Sequence, residues 1–190
     1  MLLENGAKRF ARCDKDFLPV HLAAHVGNAE LVLLLIEGSV GSGGAASGFQ
    51  NMTPMHIAAR FGHLNVVKVL LEAKSIHPDH PDANGFTPLH LASEWGYSSI
   101  VQQLLQAGAS PSAATAGLDL PIHLAAANGH TEALKMLVEA DPSLASVPDK
   151  EKNTVLHYCC RAKNLDAIKV LLPLVGPSGL TAANMCRDVS

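Results

Sequence analysis

The chain has 190 residues and a formal net charge of −3, with 48% hydrophobic, 16% charged and 4% aromatic residues. No block of like charges stands out, which argues against the clustered basic face that nucleic-acid binding needs. The longest strongly apolar run, LVLLLI at 31–36, is far short of the ~18 residues of a membrane span, so direct membrane insertion is not expected. The opening MLLENGAKRF is interrupted by Glu4 and Asn5 and lacks the apolar core of a signal peptide.

Along the chain one pattern returns. LPVH ends at His21, TPMH at His56, TPLH at His90, LPIH at His123 and TVLH at His157, at spacings of 35, 34, 33 and 34 residues. Six residues after each histidine stand Gly27, Gly62, Gly96, Gly129 and then Lys163. Fourteen and fifteen residues after come Leu35-Ile36, Leu70-Leu71, Leu104-Leu105, Leu137-Val138 and Leu171-Leu172. A fixed period of this length is the mark of a repeat architecture, in which each unit buries its apolar face against its neighbours.

In chain order, residues 1–13 are the end of a preceding unit, because Leu2-Leu3 and Gly6 keep the phase of Leu104-Leu105 and Gly108. Five units follow at 14–47, 48–81, 82–115, 116–148 and 149–182. Residues 183–190 begin a further repeat or belong to a short helical cap around Thr181–Arg187. The third unit shows the expected anatomy. Thr87 is a suitable N-cap, Pro88 falls at N1 where a missing N–H costs nothing, and Gly96 ends the first helix. A second helix is expected over Ser98–Gln106, with Ile100, Val101, Leu104 and Leu105 on one face, and the link after it is too short for another helix. Leu18 and Leu120 replace the capping threonine, a loss of about 1 kcal/mol each. The Gly/Ser/Ala-rich loop 38–50 is expected to be the most mobile. The fifth unit departs furthest, with Val155 for proline and Lys163 for glycine.

These residues resemble ankyrin repeats. DANGFTPLHLASEWGY at 82–97 carries the family pattern almost complete, and NMTPMHIAARFGH and LPIHLAAANGH carry it clearly. The resemblance implies an all-α solenoid of stacked helix-turn-helix units joined by hairpin-like loops, here a fragment of a longer array with neighbouring repeats. It implies structural roles for His21, His56, His90, His123 and His157, each tying a helix start to a neighbouring loop. It also implies a protein partner, gripped by the hairpin tips and the exposed side of the first helices. The matching positions that vary between copies are Phe17, His25, Met52, Arg60, Phe61, Phe86, Glu94, Trp95, Asn128 and Arg161. Aromatic residues, Met and Arg, the types enriched at interface centres, gather in the first three units.

Other chemistry finds little support. HPDHPD at 77–82 offers His and Asp, which are metal-ligand types, but its prolines hold it extended and no remote ligand is identifiable. GSVGSGG lacks the Lys-Ser/Thr of a phosphate loop, and no nucleophile or paired-carboxylate motif stands out. Cys13, Cys159, Cys160 and Cys186 lack metal-type spacing and read as free thiols of a reducing compartment. The expectation is a non-catalytic protein-interaction module, without cofactor or metal, cytoplasmic or nuclear. The alternative is a regulatory or targeting segment of a larger enzyme, channel or signalling protein.

Overall fold

Proline at the first turn and a left-handed residue just past the last set the length of most first helices. α1 (Pro19–Val26), α3 (Pro54–Phe61), α5 (Pro88–Glu94) and α7 (Pro121–Ala127) all start at proline. α9 (Val155–Arg161) starts at the valine that replaces it. Glycines at φ between +72° and +81° follow the first four, and Lys163 at φ +53° follows α9. The second helices are α2 (Ala29–Glu37), α4 (Leu64–Glu72), α6 (Ser98–Gln106), α8 (Thr131–Ala140) and α10 (Leu165–Leu171). The computed structural model describes residues 17–37, 48–74 and 76–175; the expectations for residues 1–13, for most of the 38–50 loop, for Cys13 and Cys186 and for the chain end lie outside them. Among the described residues there is no strand, and no helix is long and apolar enough to cross a membrane.

The chain divides into two compact units, 1–88 and 89–190. In the first, α1 packs on α2 and α3, and α4 packs on α2 and α3. Its core is Leu18, Val32, Met55, Ile57, Val66, Val67 and Leu70, all buried. In the second, α7 packs on α8 and α9, α8 on α6 and α10, and α9 on α10. Leu104, Ile122, Leu134, Leu137, Leu156 and Leu171 fill its core. Each fully buried side chain of this kind contributes about 1.5–3 kcal/mol, so a core of Leu, Ile, Val and Ala suffices despite the few aromatics.

Two expectations change. The link after α8 holds a 3-10 helix at Pro142–Ser146, which buries Leu144 and Ala145; Asp141 caps it, its carboxylate accepting from the Ser143 N–H at 3.0 Å and the Ser143 hydroxyl at 2.6 Å. Leu18 and Leu120 do lack a side-chain cap bond, yet each is only 4% exposed. Burial of the leucine offsets the missing cap, so the expected loss of about 1 kcal/mol per helix overstates the net cost.

Candidate functional site

The motif histidines come first, because their position decides between chemistry and architecture. His21, His56, His90 and His123 are buried, and His157 is half-buried. In four of the five, Nδ1 accepts the backbone N–H of the N-cap residue at 3.1 Å: Leu18 to His21, Thr53 to His56, Leu120 to His123 and Thr154 to His157. With Nδ1 accepting, the ring proton sits on Nε2. His123 donates it to Val147, just past the 3-10 helix of its own repeat, at 2.9 Å; His21 and His56 donate it to a hairpin carbonyl of the next repeat, Met52 at 3.1 Å and Phe86 at 2.9 Å. His90 Nε2 makes the same bond to Asp119 at 3.1 Å. Thr53 and Thr154 add a hydroxyl contact to Nδ1 at 2.8 and 3.0 Å.

In His21, His56 and His123 both ring nitrogens are thus committed, and these rings are buried. Burial lowers the pKa of His56 to about 4, against the opposing Phe86 carbonyl and Asp82 carboxylate. Burial also lowers that of His123, against the Val147 carbonyl. A neutral ring with no free lone pair has nothing to offer as a base or a ligand. At His21, His56 and His123 the ring bridges the start of its helix and a loop farther along the chain.

A second set of ties runs the opposite way. His63 donates from Nε2 to the His25 carbonyl at 2.9 Å, and His130 to the Glu94 carbonyl at 3.0 Å. Each ring lies on the turn glycine of the preceding repeat: a Cβ built on Gly96 would stand 2.4 Å from His130 Nδ1, and one on Gly27 2.5 Å from His63 Nδ1. In the last repeat Asn164 substitutes, donating to the Gly129 carbonyl at 3.0 Å.

With the histidines absorbed by the scaffold, the candidate recognition residues fall into two groups. In the first unit, His25, Arg60 and Phe61 are exposed on the ends of α1 and α3. The His25 and Phe61 rings meet edge to face, centroids 4.4 Å apart, so the two side chains form one ordered feature. Val26 at 75% and Leu22 at 51% exposure extend this apolar surface along α1. Phe17, Met52 and Phe86 are half-buried. The Phe17 ring stands 5.5 Å from that of His21 and closes over Gly48, so its packing is partly structural.

In the second unit, Trp95 is 49% exposed at the position matching Val26 and Phe61, and Glu94 beside it is half-buried. Asn128 is exposed, with its amide donating to the Leu124 carbonyl at 2.9 Å. Arg161 is exposed, its guanidinium 5.9 Å from the centre of the Tyr158 ring. Sequence reasoning missed Tyr158. It directly follows a motif histidine, where Leu22, Ile57, Leu91 and Leu124 stand in the other copies, and that contrast was the available signal.

In the 77–82 stretch, His77 Nδ1 accepts from the Asp79 N–H at 3.2 Å, His80 Nδ1 donates to the Pro81 carbonyl at 3.1 Å, and Asp82 accepts from the Asn84 and Phe86 N–H groups at 2.8 and 2.9 Å. These side chains serve their own loop, and among the described residues no three metal-ligand types converge. Cys159 is buried, and burial pushes its thiol up to about 12, which keeps it an unreactive packing residue.

A family model described as ankyrin repeats (3 copies) matches residues 1–82, 20–115 and 116–179. No curated protein matches the chain.

Proposed function

The chain belongs to the ankyrin-repeat family, whose members are in general protein–protein interaction modules, and from that premise we propose that it binds a partner protein through the exposed ends of its first helices. One observation carries the reading. In three consecutive copies, the residue five past the motif histidine is a large apolar side chain left in water: Val26 at 75%, Phe61 at 45% and Trp95 at 49% exposure. Single exposed apolar residues are ordinary, but recurrence at one repeat position is not explained by the core, which the remaining positions already fill. Phe61 and Trp95 are also costly residues to leave exposed in a chain with only 4% aromatics. His25 and Arg60 beside Phe61, and Glu94 beside Trp95, supply the polar rim.

The module acts by recognition, and its histidines are consumed by the scaffold. The test begins with partner capture by the wild-type chain, followed by affinity measurements on Phe61→Ala and Trp95→Ala, with circular dichroism to verify folding. Anchors of this kind should lose about 2 kcal/mol or more of binding free energy. Unchanged affinity in both folded variants would overturn the assignment.

A further inference from the structure

The same position, compared between repeats, shows which surface a junction covers. Ten residues past the motif histidine stand Val66, Ala133 and Ala167 in the second, fourth and fifth repeats, all buried. Leu31, the matching residue of the first repeat, is 41% exposed. Ala167 is buried although it stands on the last described helix, where α8 packs on α10. This position is therefore covered from the side of the preceding repeat. Two others follow it. Leu22 is exposed where Ile57 is buried and Leu124 half-buried, and Leu34 is exposed where Val69, Met136 and Val170 are half-buried. The first repeat thus carries an open apolar face, with Leu31 and Leu34 on one side of α2.

The fifth repeat shows the reverse. Fifteen residues past the motif histidine, Ile36 and Val138 are buried and Leu71 and Leu105 half-buried, while Leu172 is 42% exposed. Ile36 is buried in the first repeat, where α4 packs on α2, so this position is covered from the side of the following repeat. Leu165, seven residues before Leu172 and on the same side of the helix, is exposed as well. The polar groups of a junction are left over in the same way. His21, His56 and His90 each donate from Nε2 to the carbonyl four residues before the next motif histidine. His157 Nε2 has no acceptor among the described residues, and the matching carbonyl of the first repeat is that of Phe17. Asn164 caps α10 through Oδ1 and reaches back through Nδ2 to the Gly129 carbonyl at 3.0 Å. Asn28 caps α2 alike, its Oδ1 accepting from the Leu31 N–H at 2.9 Å, and its Nδ2 has no acceptor among the described residues.

We propose that copies of this chain associate head to tail, the fifth repeat of one stacking on the first repeat of the next as consecutive repeats do within each compact unit. Leu165 and Leu172 of one copy bury against Leu22, Leu31 and Leu34 of the other. The His157 ring donates to the partner's Phe17 carbonyl, and the partner's Asn28 amide reaches back toward the turn at Lys163, the position matching Gly129. A second copy is the occupant because the later repeats show what covers this face, the forward side of another repeat, and the fifth repeat has that side with its donor unspent. A head-to-head pair would bury two apolar faces but leave both His157 donors idle. The contact joins two different surfaces, so it does not saturate at a dimer, and the assembly grows by addition at either end.

The test is sedimentation velocity of the full chain over a hundredfold concentration range, where the average mass should climb past that of a dimer. Leu31→Glu blocks the head and Leu172→Glu the tail, each by placing an unpaired carboxylate in the contact. Both residues are exposed, so the variants should fold, and thermal melts check this. Either variant alone should associate at least tenfold more weakly than wild type. Mixed, they keep one intact head and one intact tail between them, and should form a dimer and nothing larger. A wild-type dimer that Leu172→Glu leaves intact is head-to-head and would overturn the proposal. A wild-type chain that stays monomeric would overturn it too, and would leave the face to the chain's own residues 1–16 or to a different protein. Neither failure touches the partner-binding reading, which is judged by Phe61→Ala and Trp95→Ala on the captured partner.

Discussion

At the scale of single residues, the buried histidines turn the fold into a pH-dependent object. The His56 pKa lies at about 4 in the folded chain against 6.5 for an ordinary histidine. Above pH 6.5 the ring is neutral whether folded or unfolded, and its contribution is complete. Below that, the unfolded chain takes up a proton that the folded ring refuses, so stability falls as pH drops and goes on falling to about pH 4. The 1.5 units between 6.5 and 5 correspond to roughly 2 kcal/mol. Urea midpoints at pH 7 and pH 5 provide the measurement. His56→Gln should be the less stable protein at pH 7, yet should lose about 2 kcal/mol less than wild type between the two pH values. Equal losses would remove His56 as the cause. Ser93 makes the opposite case. It is fully buried where other copies have Ala24, Ala59 and Ala126, and its hydroxyl has no hydrogen-bond partner among the described residues. Ser93→Ala should raise the urea-unfolding free energy by about 1 kcal/mol, since it removes a desolvated group that receives nothing in return. Of these two residues, only the role of His56 was legible beforehand. A serine in an alanine column is visible in the sequence, but whether its hydroxyl finds a carbonyl depends on rotamer and packing.

At the scale of helices and turns, glycines that look alike in the sequence do different work. Gly96 and Gly108 both have positive φ, +72° and +87°. An alanine Cβ at Gly108 meets nothing within 4 Å, while at Gly96 it would drive into the His130 ring at 2.4 Å. Gly108→Ala should therefore cost only the backbone term, about 1 kcal/mol. Gly96→Ala should cost about 3 kcal/mol, because it also displaces the ring that bonds the Glu94 carbonyl. Thermal unfolding of the two variants compares them directly, and similar losses would show that the ring contact is unimportant. The turn glycines were legible as helix ends, but the ring resting on Gly96 comes from a residue 34 positions away and required the stacking of repeats to appear. The 3-10 helix at Pro142–Ser146 was missed for a local reason: a five-residue segment has no period to detect, and only Asp-Pro-Ser, a cap followed by a first-turn proline, hinted at it.

At the scale of the whole chain, the period made the architecture legible. Five copies in register fixed where helices begin and which leucines point inward, and comparing copies separated scaffold from surface. Phe61 and Trp95 were found by that comparison, and so was Arg161. The company Arg161 keeps was not, because the Tyr158–Asp149 bond joins a helix to a hairpin turn nine residues earlier through a side-chain contact that no repeat pattern encodes. The two families of histidine bonds have one more consequence. His21, His56 and His90 reach forward to the next hairpin, and the turn histidines His63 and His130 reach back to the preceding helix end. The forward bond thus presents the same donor and the same kind of acceptor at three junctions, whatever the surface carries. The fold consequently has a reading frame of its own. Excising one full period, from any starting phase, rejoins a donor to an equivalent acceptor, whereas excising half a period strands one of each in the core. Length changes in such a gene should survive in whole multiples of about 33 residues, the family period, and be purged otherwise.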